Sequence, residues 1–268
     1  MGKKINKWID SNFNIRISKK IWLNLINNWM AKYNKKGILN NEIAKKIWGT
    51  NCSFKKMDLN TVKKLKNTYA GKWFNSNQNW VELYFKNEYL YVLYFDYFST
   101  SRHTYPVVGV YEKGNIVVDV GGSIFGAYNL LKYGAKKVLI TNYDNSFQNK
   151  FNNFIIKKFK LNIKIILNNK IPHNSILLCS EYFEHFKNVD IELNRLLQFK
   201  PKRIYVKNSF CFPAYGHYIP IKIKKIEYYD SKSAQKIFQN LLISRGYNLT
   251  KIDRFFGKIE RYDKLLNN

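Results

Sequence analysis

Acidic residues are scarce in this chain of 268 residues, in which 18 Asp and Glu stand against 46 Lys and Arg and give a formal net charge of +28. Only 7 of the basic residues are Arg, so lysine supplies most of the positive charge. A field of this size attracts polyanions. The chain is nevertheless 46% hydrophobic and 17% aromatic, which is enough apolar material for a packed core. These balances exclude wholesale disorder.

Cysteine and long apolar runs are also scarce. The three cysteines, Cys52, Cys179 and Cys211, have no paired spacing, so the sequence indicates neither a disulfide framework nor a zinc site, and we expect no metal. The longest candidate apolar run, Tyr89–Phe95, is far shorter than the roughly 20 residues that cross a bilayer. The N-terminus lacks the apolar stretch of a secretory signal. We therefore expect a cytoplasmic protein in a reducing compartment, without membrane contact.

The first quarter of the chain is the most basic part. Residues 1–75 carry a net charge of +14, half of the total. Trp22, Leu25, Ile26 and Trp29 recur at steps of three and four residues, which predicts an amphipathic helix over 19–33. Shorter helices are predicted near 41–48 and 58–71. The pattern predicts a basic helical N-terminal region over 1–75.

The rest of the chain divides into a connector and a larger domain. Residues 76–106 contain two aromatic, alternating segments, 80–86 and 89–97, which predict a β-hairpin, followed by a loop over 99–105. From residue 107 to 268, short Ile/Val/Leu-rich strands alternate with helix-sized segments. This alternation is typical of an α/β fold with a mostly parallel sheet covered on both faces. The last two strands follow each other through a short turn and should pair antiparallel.

The most informative segment is VVDVGGSIFG, from Val117 to Gly126. A strand that ends in Asp119 is followed at once by Gly121 and Gly122 and then by a helix, so a glycine turn and a helix N-terminus lie at the carboxyl edge of the sheet. Ligands of open α/β folds bind at that edge. The dinucleotide fingerprint requires glycine at its first, third and sixth positions. Ser123 stands at the third, so the middle glycine is missing, which argues against NAD as a cofactor.

This segment, together with GAKKVLITNYD, CSEYFEH and KPKRIYVKNSF, resembles the class I S-adenosylmethionine-dependent methyltransferases over roughly 107–264. The resemblance implies a Rossmann-like seven-stranded sheet and S-adenosylmethionine as cofactor. Asp119, Gly121 and Gly122 would contact its methionine part. The ribose position, usually a carboxylate, is occupied by Asn142 with Asp144 two residues on. Asn168 or Asn169, just after the third strand, would meet the adenine edge. The candidate cofactor contacts are Asp119, Gly121, Gly122, Ser123, Asn142, Asp144 and Asn168.

The resemblance also places the end of the fourth strand opposite the transferring methyl group. Glu181, Glu184 and His185 lie there and are the candidate catalytic residues, with a base such as Glu184 or His185 removing a proton from the acceptor. A second polar cluster, Asn208–Ser209 and His217–Tyr218, should reach the same edge. The Asp/Asn-Pro-Pro-aromatic motif of DNA amino-methyltransferases is absent from SEYF, which argues against adenine-N6 and cytosine-N4 as methyl acceptors.

These observations favour a methyltransferase that acts on a nucleic acid, RNA ahead of DNA, recruited by the lysine-rich N-terminal region. Two alternatives stay open. The resemblance is altered at the turn, where Phe125 stands at a position that is commonly glycine in the family and Gly126 follows. Asn142 and this altered glycine turn would suit a catalytically inactive methyltransferase fold that serves as a nucleic-acid-binding or structural component. The acceptor could instead be a small molecule or a protein, with the lysine excess a matter of composition. The oligomeric state does not follow from the sequence.

Overall fold

The computed structural model describes residues 17–35, 93, 104–142, 146–212, 217–253 and 259–265. The helices are α1 (Lys19–Lys35), α2 (Thr104–Tyr111), α3 (Ile124–Lys132), α4 (Phe147–Phe159), α5 (Val189–Leu197) and α6 (Ser231–Ser244), with a 3-10 turn over Phe183–His185. The strands are β1 (Ile116–Val120), β2 (Lys137–Asn142), β3 (Ile163–Leu167), β4 (Ile176–Ser180), β5 (Arg203–Lys207), β6 (Ile221–Ile223), β7 (Ile226–Tyr228), β8 (Tyr247–Asp253) and β9 (Ile259–Lys264).

Seven strands form one sheet in the order β3-β2-β1-β4-β5-β9-β8. The first five are parallel, whereas β9 runs antiparallel to both β5 and β8. The sequence predicted this α/β, mostly parallel seven-stranded sheet, and its antiparallel final pair, and both are confirmed. The strand order reverses between β1 and β4, which opens a crevice at the carboxyl ends of these two strands.

The sheet is buried on both faces, as its continuous apolar strands require. Successive residues of β1 point to opposite faces, so Val117 belongs to one apolar cluster and Val118 to the other. The first cluster packs under α3 and α4, and the second under α5 and α6. The crevice between β1 and β4 therefore opens in a rigid frame.

The predicted N-terminal helix is confirmed as α1, and its apolar face is part of the first cluster. Trp22 lies edge-on against Phe125 and Tyr128, with ring centroids 5.0 and 5.5 Å apart. The amide of Ile17 donates to the Tyr128 hydroxyl at 2.8 Å. Because its apolar face is used up in this way, α1 belongs to the domain core, and only its lysine face remains for a partner.

Other parts of the N-terminal prediction are not reached. The helices near 41–48 and 58–71 lie outside the described residues, as does nearly all of the hairpin predicted over 80–97. Leu93, the described residue of that hairpin, is buried and helical where a strand was predicted. The loop predicted over 99–105 is wrong at its end, because α2 begins at Thr104 and packs Tyr105 against Gly126.

A second, two-stranded sheet was not predicted. Strands β6 and β7 pair antiparallel through a turn in which Lys224 and Lys225 both have positive φ. Asn188 forms a bridge with Lys222, so this hairpin sits beside the segment that follows β4. Within the described ranges, no helix is long and apolar enough to cross a membrane.

Candidate active site at the carboxyl ends of β1 and β4

The glycine turn after β1 has the conformation that its sequence requires. Gly121 has φ +67°, a region that side chains rarely adopt, and its amide donates to the Thr141 hydroxyl at 3.0 Å. A Cβ atom added to Gly122 would lie 2.0 Å from Oδ2 of Asp119. Gly122 is therefore needed because the Asp119 side chain folds directly over the backbone of the turn.

Asp119 is the most unusual residue of the turn. It is fully buried, and neither carboxylate oxygen accepts a hydrogen bond of ordinary geometry from the part of the chain that is described. Burial raises the pKa of Asp119 well above its usual range, and the contribution of Tyr105, which favours the charged form, is smaller. A buried carboxylate in this condition is suited to receive a cationic group from a ligand.

Ser123 is a second unsatisfied group in the same turn. It is the N-cap residue of α3, yet its side chain makes no capping hydrogen bond, and its buried Oγ has no partner among the described residues. The first amide of the helix is instead capped by Asn152, whose Oδ1 accepts from the Ile124 amide at 3.2 Å. The sequence predicted free amides for a ligand here, but Gly121 and Ile124 donate theirs to the protein.

Phe125, which stands where the family has a glycine, does not fill the turn. Its ring belongs to the apolar cluster under α3, 5.0 Å from Trp22 and 5.9 Å from Phe151. The Phe125 ring is accommodated because Trp22 of α1 and Phe151 of α4 lie beside it. The ring that lies against the turn is instead that of Tyr182.

The residues predicted to hold the ribose and adenine are placed less favourably. Asn142 ends β2 and is buried, but its Nδ2 donates a short hydrogen bond to Oε1 of Gln148 on α4. Asn168 follows β3, and its backbone carbonyl accepts from Arg195 at 2.8 Å. Asp144 lies outside the described residues. These contacts tie the predicted ribose and adenine positions to the protein itself.

Tyr182 forms the wall of the crevice opposite the glycine turn, a role that the sequence analysis missed. A Cβ atom on Gly121 would lie 2.8 Å from its ring, and its hydroxyl donates to Glu192 at 2.7 Å. Arg195 pairs with the same carboxylate at 2.6 Å. The only sequence signal was an aromatic residue directly after a strand end, and such residues are common in cores.

Glu181 and Glu184 meet at the end of β4. Glu181 has φ +51°, an uncommon conformation for a side-chain-bearing residue, and pairs with Lys207 at 3.1 Å. Glu184 is fully buried and accepts from the Ser209 amide at 2.8 Å, while its Oε2 has no hydrogen-bond partner of ordinary geometry within the described ranges. Burial and the adjacent Glu181 raise the pKa of Glu184. For Glu181, burial is outweighed by hydrogen bonding from Glu184 and by Lys207, so its pKa is lowered.

Two histidines complete this cluster. His185 follows Glu184 directly, and its ring lies 4.9 Å from that of His217 in an edge-on arrangement. Nδ1 of His217 is 3.0 Å from the Phe212 carbonyl, and burial lowers the pKa of His217. The predictions that Glu181, Glu184 and His185 share one edge, and that His217 reaches it, agree with the structure, since one atom each of Glu181, Glu184 and His217 lie within 4.8 Å of one another.

The arrangement suits transfer of a group between two ligands. An orphaned carboxylate and hydroxyl, Asp119 and Ser123, lie on the β1 side of the crevice, and a pair of carboxylates with two imidazoles lies on the β4 side. The first set fits the ammonium group of an amino-acid-like ligand, and the second can accept protons or bind a cation. Both sets stand at the crevice of the sheet, where open α/β folds bind ligands.

Comparison with known proteins gives structural similarity alone. No protein-family model matches the chain, and no curated protein matches its sequence. A putative S-adenosylmethionine-dependent methyltransferase from Methanococcus maripaludis is 12% identical with a TM-score of 0.48, over 82% of this chain and 99% of that one. Magnesium protoporphyrin IX methyltransferase from Synechocystis, solved with bound S-adenosylmethionine, is 12% identical with a TM-score of 0.45, over 94% and 100%.

A putative RNA methyltransferase from Pyrococcus horikoshii is 16% identical with a TM-score of 0.42, over 72% of this chain and 92% of that one. The chain's own topology decides its fold class: five parallel strands in the order β3-β2-β1-β4-β5, followed by an antiparallel final pair and a glycine turn after β1. The chain has the class I methyltransferase fold.

Proposed function

We propose that the chain is an S-adenosylmethionine-dependent methyltransferase whose acceptor is a nucleic acid, RNA ahead of DNA. The observation that carries the first half is Asp119, a completely buried carboxylate without a hydrogen bond of ordinary geometry among the described residues, at the strand-order switch. A buried carboxyl group without an ordinary hydrogen bond costs stability, so it is retained where a ligand satisfies it. The α-ammonium group of S-adenosylmethionine has the matching charge.

The chain's residues divide the work between two sides of the crevice. Asp119 and Ser123 would hold the amino-acid end of the donor, and the sulfonium supplies an already activated methyl group. A base of the protein would take the proton that the acceptor's oxygen or nitrogen gives up when it is methylated. His185, beside Glu184 at the end of β4, is the candidate base, and Tyr182 excludes water from the turn.

The surface next to the crevice supports a nucleic-acid acceptor. The β6–β7 hairpin exposes Lys224, Lys225 and Ile226, and Phe212 and Tyr229 are 61% and 67% exposed on either side of it. Lysines that contact phosphates and aromatic rings on which bases stack are the usual elements of single-strand binding. The hairpin is attached to the segment after β4 by the bridge between Asn188 and Lys222.

The donor half is tested by ligand-induced stabilisation of the full chain. Saturation with S-adenosylmethionine at 100 times its dissociation constant should raise the free energy of unfolding by about 2.7 kcal/mol. A labelled-methyl transfer screen across RNA, DNA and protein then identifies the acceptor. Stabilisation without transfer to any nucleic acid would overturn the acceptor half and leave the donor half standing.

The acceptor half is tested by the salt dependence of binding. For single strands the slope of log K against log salt should be about 0.7 per neutralised phosphate, so Lys224→Ala with Lys225→Ala should lower it by about 1.4. Lys157→Ala with Lys158→Ala, on the exposed face of α4, is the matched control and should leave it unchanged. Lys19→Ala with Lys20→Ala tests the N-terminal region without removing the buried Trp22.

A second candidate function is favoured by Asn142. Its side chain is hydrogen-bonded to Gln148 and buried, so the position that should hold the ribose hydroxyls is occupied by the protein. An inactive methyltransferase fold that binds nucleic acid would show this feature. Such a protein would keep the salt-dependent binding and show no stabilisation by S-adenosylmethionine or by its demethylated product.

A further inference from the structure

Three potential ligand atoms converge at the end of β4. One oxygen each of Glu181 and Glu184 and one ring nitrogen of His217 lie within 4.8 Å of one another. Two ligands on opposite sides of an ion bound at about 2.1 Å would be about 4.2 Å apart. Small side-chain rotations would therefore bring the three atoms to a common centre.

The hydrogen bonds of the two carboxyl groups fix one oxygen of each toward the protein. Oε1 of Glu184 accepts from the Ser209 amide at 2.8 Å, and its buried Oε2 has no partner of ordinary geometry in the described part of the chain. Oε1 of Glu181 pairs with the Lys207 ammonium at 3.1 Å. The other hydrogen bonds of Glu181 are to Glu184 and Ser209 within the cluster, and a bound cation would replace the proton that the two carboxyl groups share.

His217 is oriented in the manner of a ligating histidine. A carbonyl can only accept a hydrogen bond, so the 3.0 Å contact with Phe212 assigns a proton to Nδ1, and Nε2 is then the ring nitrogen that can ligate a cation. Metal-bound histidines almost always donate their second nitrogen to such a partner. The segment is also attached to the cluster, because the Tyr218 amide donates to the Glu184 carbonyl at 2.9 Å.

A shared proton would satisfy the two carboxylates but would leave the imidazole lone pair unused. A divalent cation engages all three atoms at once. We propose that Glu181, Glu184 and His217 form a binding site for one divalent cation of the class that accepts mixed carboxylate and imidazole ligands, such as Mn²⁺. Three protein ligands leave coordination positions open.

The role of the ion rests on the proposed function, whereas its binding does not. The cluster occupies the acceptor side of the crevice, opposite Asp119, so the open positions face the place of the methyl acceptor. A hard cation there binds an acceptor oxygen and makes its hydroxyl more acidic. The site therefore predicts that the methyl group is transferred to oxygen rather than to nitrogen.

The test is a Mn²⁺ titration of the full chain without methyl donor, followed by the loss of the free-ion electron paramagnetic resonance signal. We expect saturable binding of one ion per chain, weakened at least tenfold by Glu184→Gln and by His217→Ala. The controls are Glu227→Gln and His173→Ala, whose side chains are exposed and are not part of the cluster, and they should leave the affinity unchanged. Unfolding temperatures establish that each variant is folded.

Two results would overturn the proposal. Absence of saturable binding up to millimolar Mn²⁺ would mean that the cluster holds a shared proton only. Equal affinity in the wild type, Glu184→Gln and His217→Ala would assign the binding to scattered surface carboxylates. S-adenosylmethionine binding is measured separately by calorimetry, so loss of donor binding with retained Mn²⁺ binding would refute the proposed function and leave the cation site.

Discussion

The buried carboxylates of this protein fall into two groups that differ in how they are satisfied. Glu112, near the amino end of the sheet, accepts hydrogen bonds from Asn115, Arg203 and Tyr205. Asp119, at the carboxyl end of β1, is equally buried and has no such set in the described residues. Both lie in the same fold, so the protein satisfies Glu112 by itself, whereas Asp119 is the buried acid that the proposed ligand would satisfy.

Among the other buried acids the contrast is between single residues and not between the two ends of the sheet, because Glu260 pairs with Val206 near the carboxyl end of β5 and is satisfied. Glu260 accepts from Gln235 at 2.7 Å and from the Tyr262 hydroxyl at 2.6 Å. Glu192 is satisfied by Tyr182 and by Arg195, whereas one oxygen of Glu184 is left over. A protein can retain unsatisfied buried groups at one edge because the rest of the core stabilises the fold around them.

The largest expected effect on stability is that of replacing Glu112, the buried acid with three hydrogen-bond donors around it. Replacing Glu112 by Gln removes the charge that Arg203 meets at 2.7 Å and leaves the Tyr205 hydroxyl with a weaker acceptor. Loss of one partner of a buried pair should lower the free energy of unfolding by about 3 kcal/mol. Denaturant unfolding measures it, with Glu227→Gln, an exposed acid, as the control.

Donor binding should survive Glu112→Gln once the variant is folded. If the variant instead lost its response to S-adenosylmethionine while remaining as stable as the wild type, the distinction between Glu112 as a structural group and Asp119 as a ligand-binding group would be wrong.

Asp119→Asn, unlike Glu112→Gln, should abolish the response to the donor. The variant should lose the stabilisation of about 2.7 kcal/mol that saturating donor gives the wild type. It should also become more stable relative to the wild type as the pH rises. The folded pKa of Asp119 lies above the unfolded value of about 3.9, so the folded wild type binds the extra proton and loses stability as the pH rises between the two values.

The stability of Asp119→Asn relative to the wild type should therefore rise from pH 4 to pH 8. Unfolding measured across this range in both proteins gives the difference directly. A difference that stays flat with pH would mean that Asp119 is satisfied in the folded protein, and the comparison with Glu112 would lose its basis.

The sequence predicted the sheet well because its buried strands are continuous apolar runs, and it predicted the Asp119 turn because glycine pairs after a strand are a local signal. It also predicted that Glu181, Glu184 and His185 lie at the carboxyl edge of the sheet, where the structure places them. The wall formed by Tyr182 was not predictable, since its role depends on contact with Gly121 across the switch point. The hydrogen bond between Asn142 and Gln148 was likewise not predictable, because it depends on where α4 lies.

The β6–β7 hairpin was missed for a different reason. Its strands are only three residues long, and the period-2 pattern of so short a strand does not stand out from a loop. Helix α2 was missed because its proline and glycine argue against a helix. Its position depends on the packing of Tyr105 against Gly126, which the sequence does not show.

The smallest expected effect is that of Gly122→Ala, which tests whether the Asp119 side chain is the reason for glycine at this position. Gly122→Ala places a methyl group 2.0 Å from Oδ2 of Asp119, so the carboxylate must turn away, at a cost of about 2 kcal/mol. Because the clash is with that side chain, the cost should be mostly absent when Gly122→Ala is made in Asp119→Ala, and a double-mutant cycle on unfolding measures the coupling. Gly114→Ala, where a Cβ meets nothing within 4 Å but φ is +77°, is the control for backbone strain alone. Additive costs would place the strain in the backbone of the turn rather than against Asp119, and the carboxylate would no longer be the group that requires glycine there.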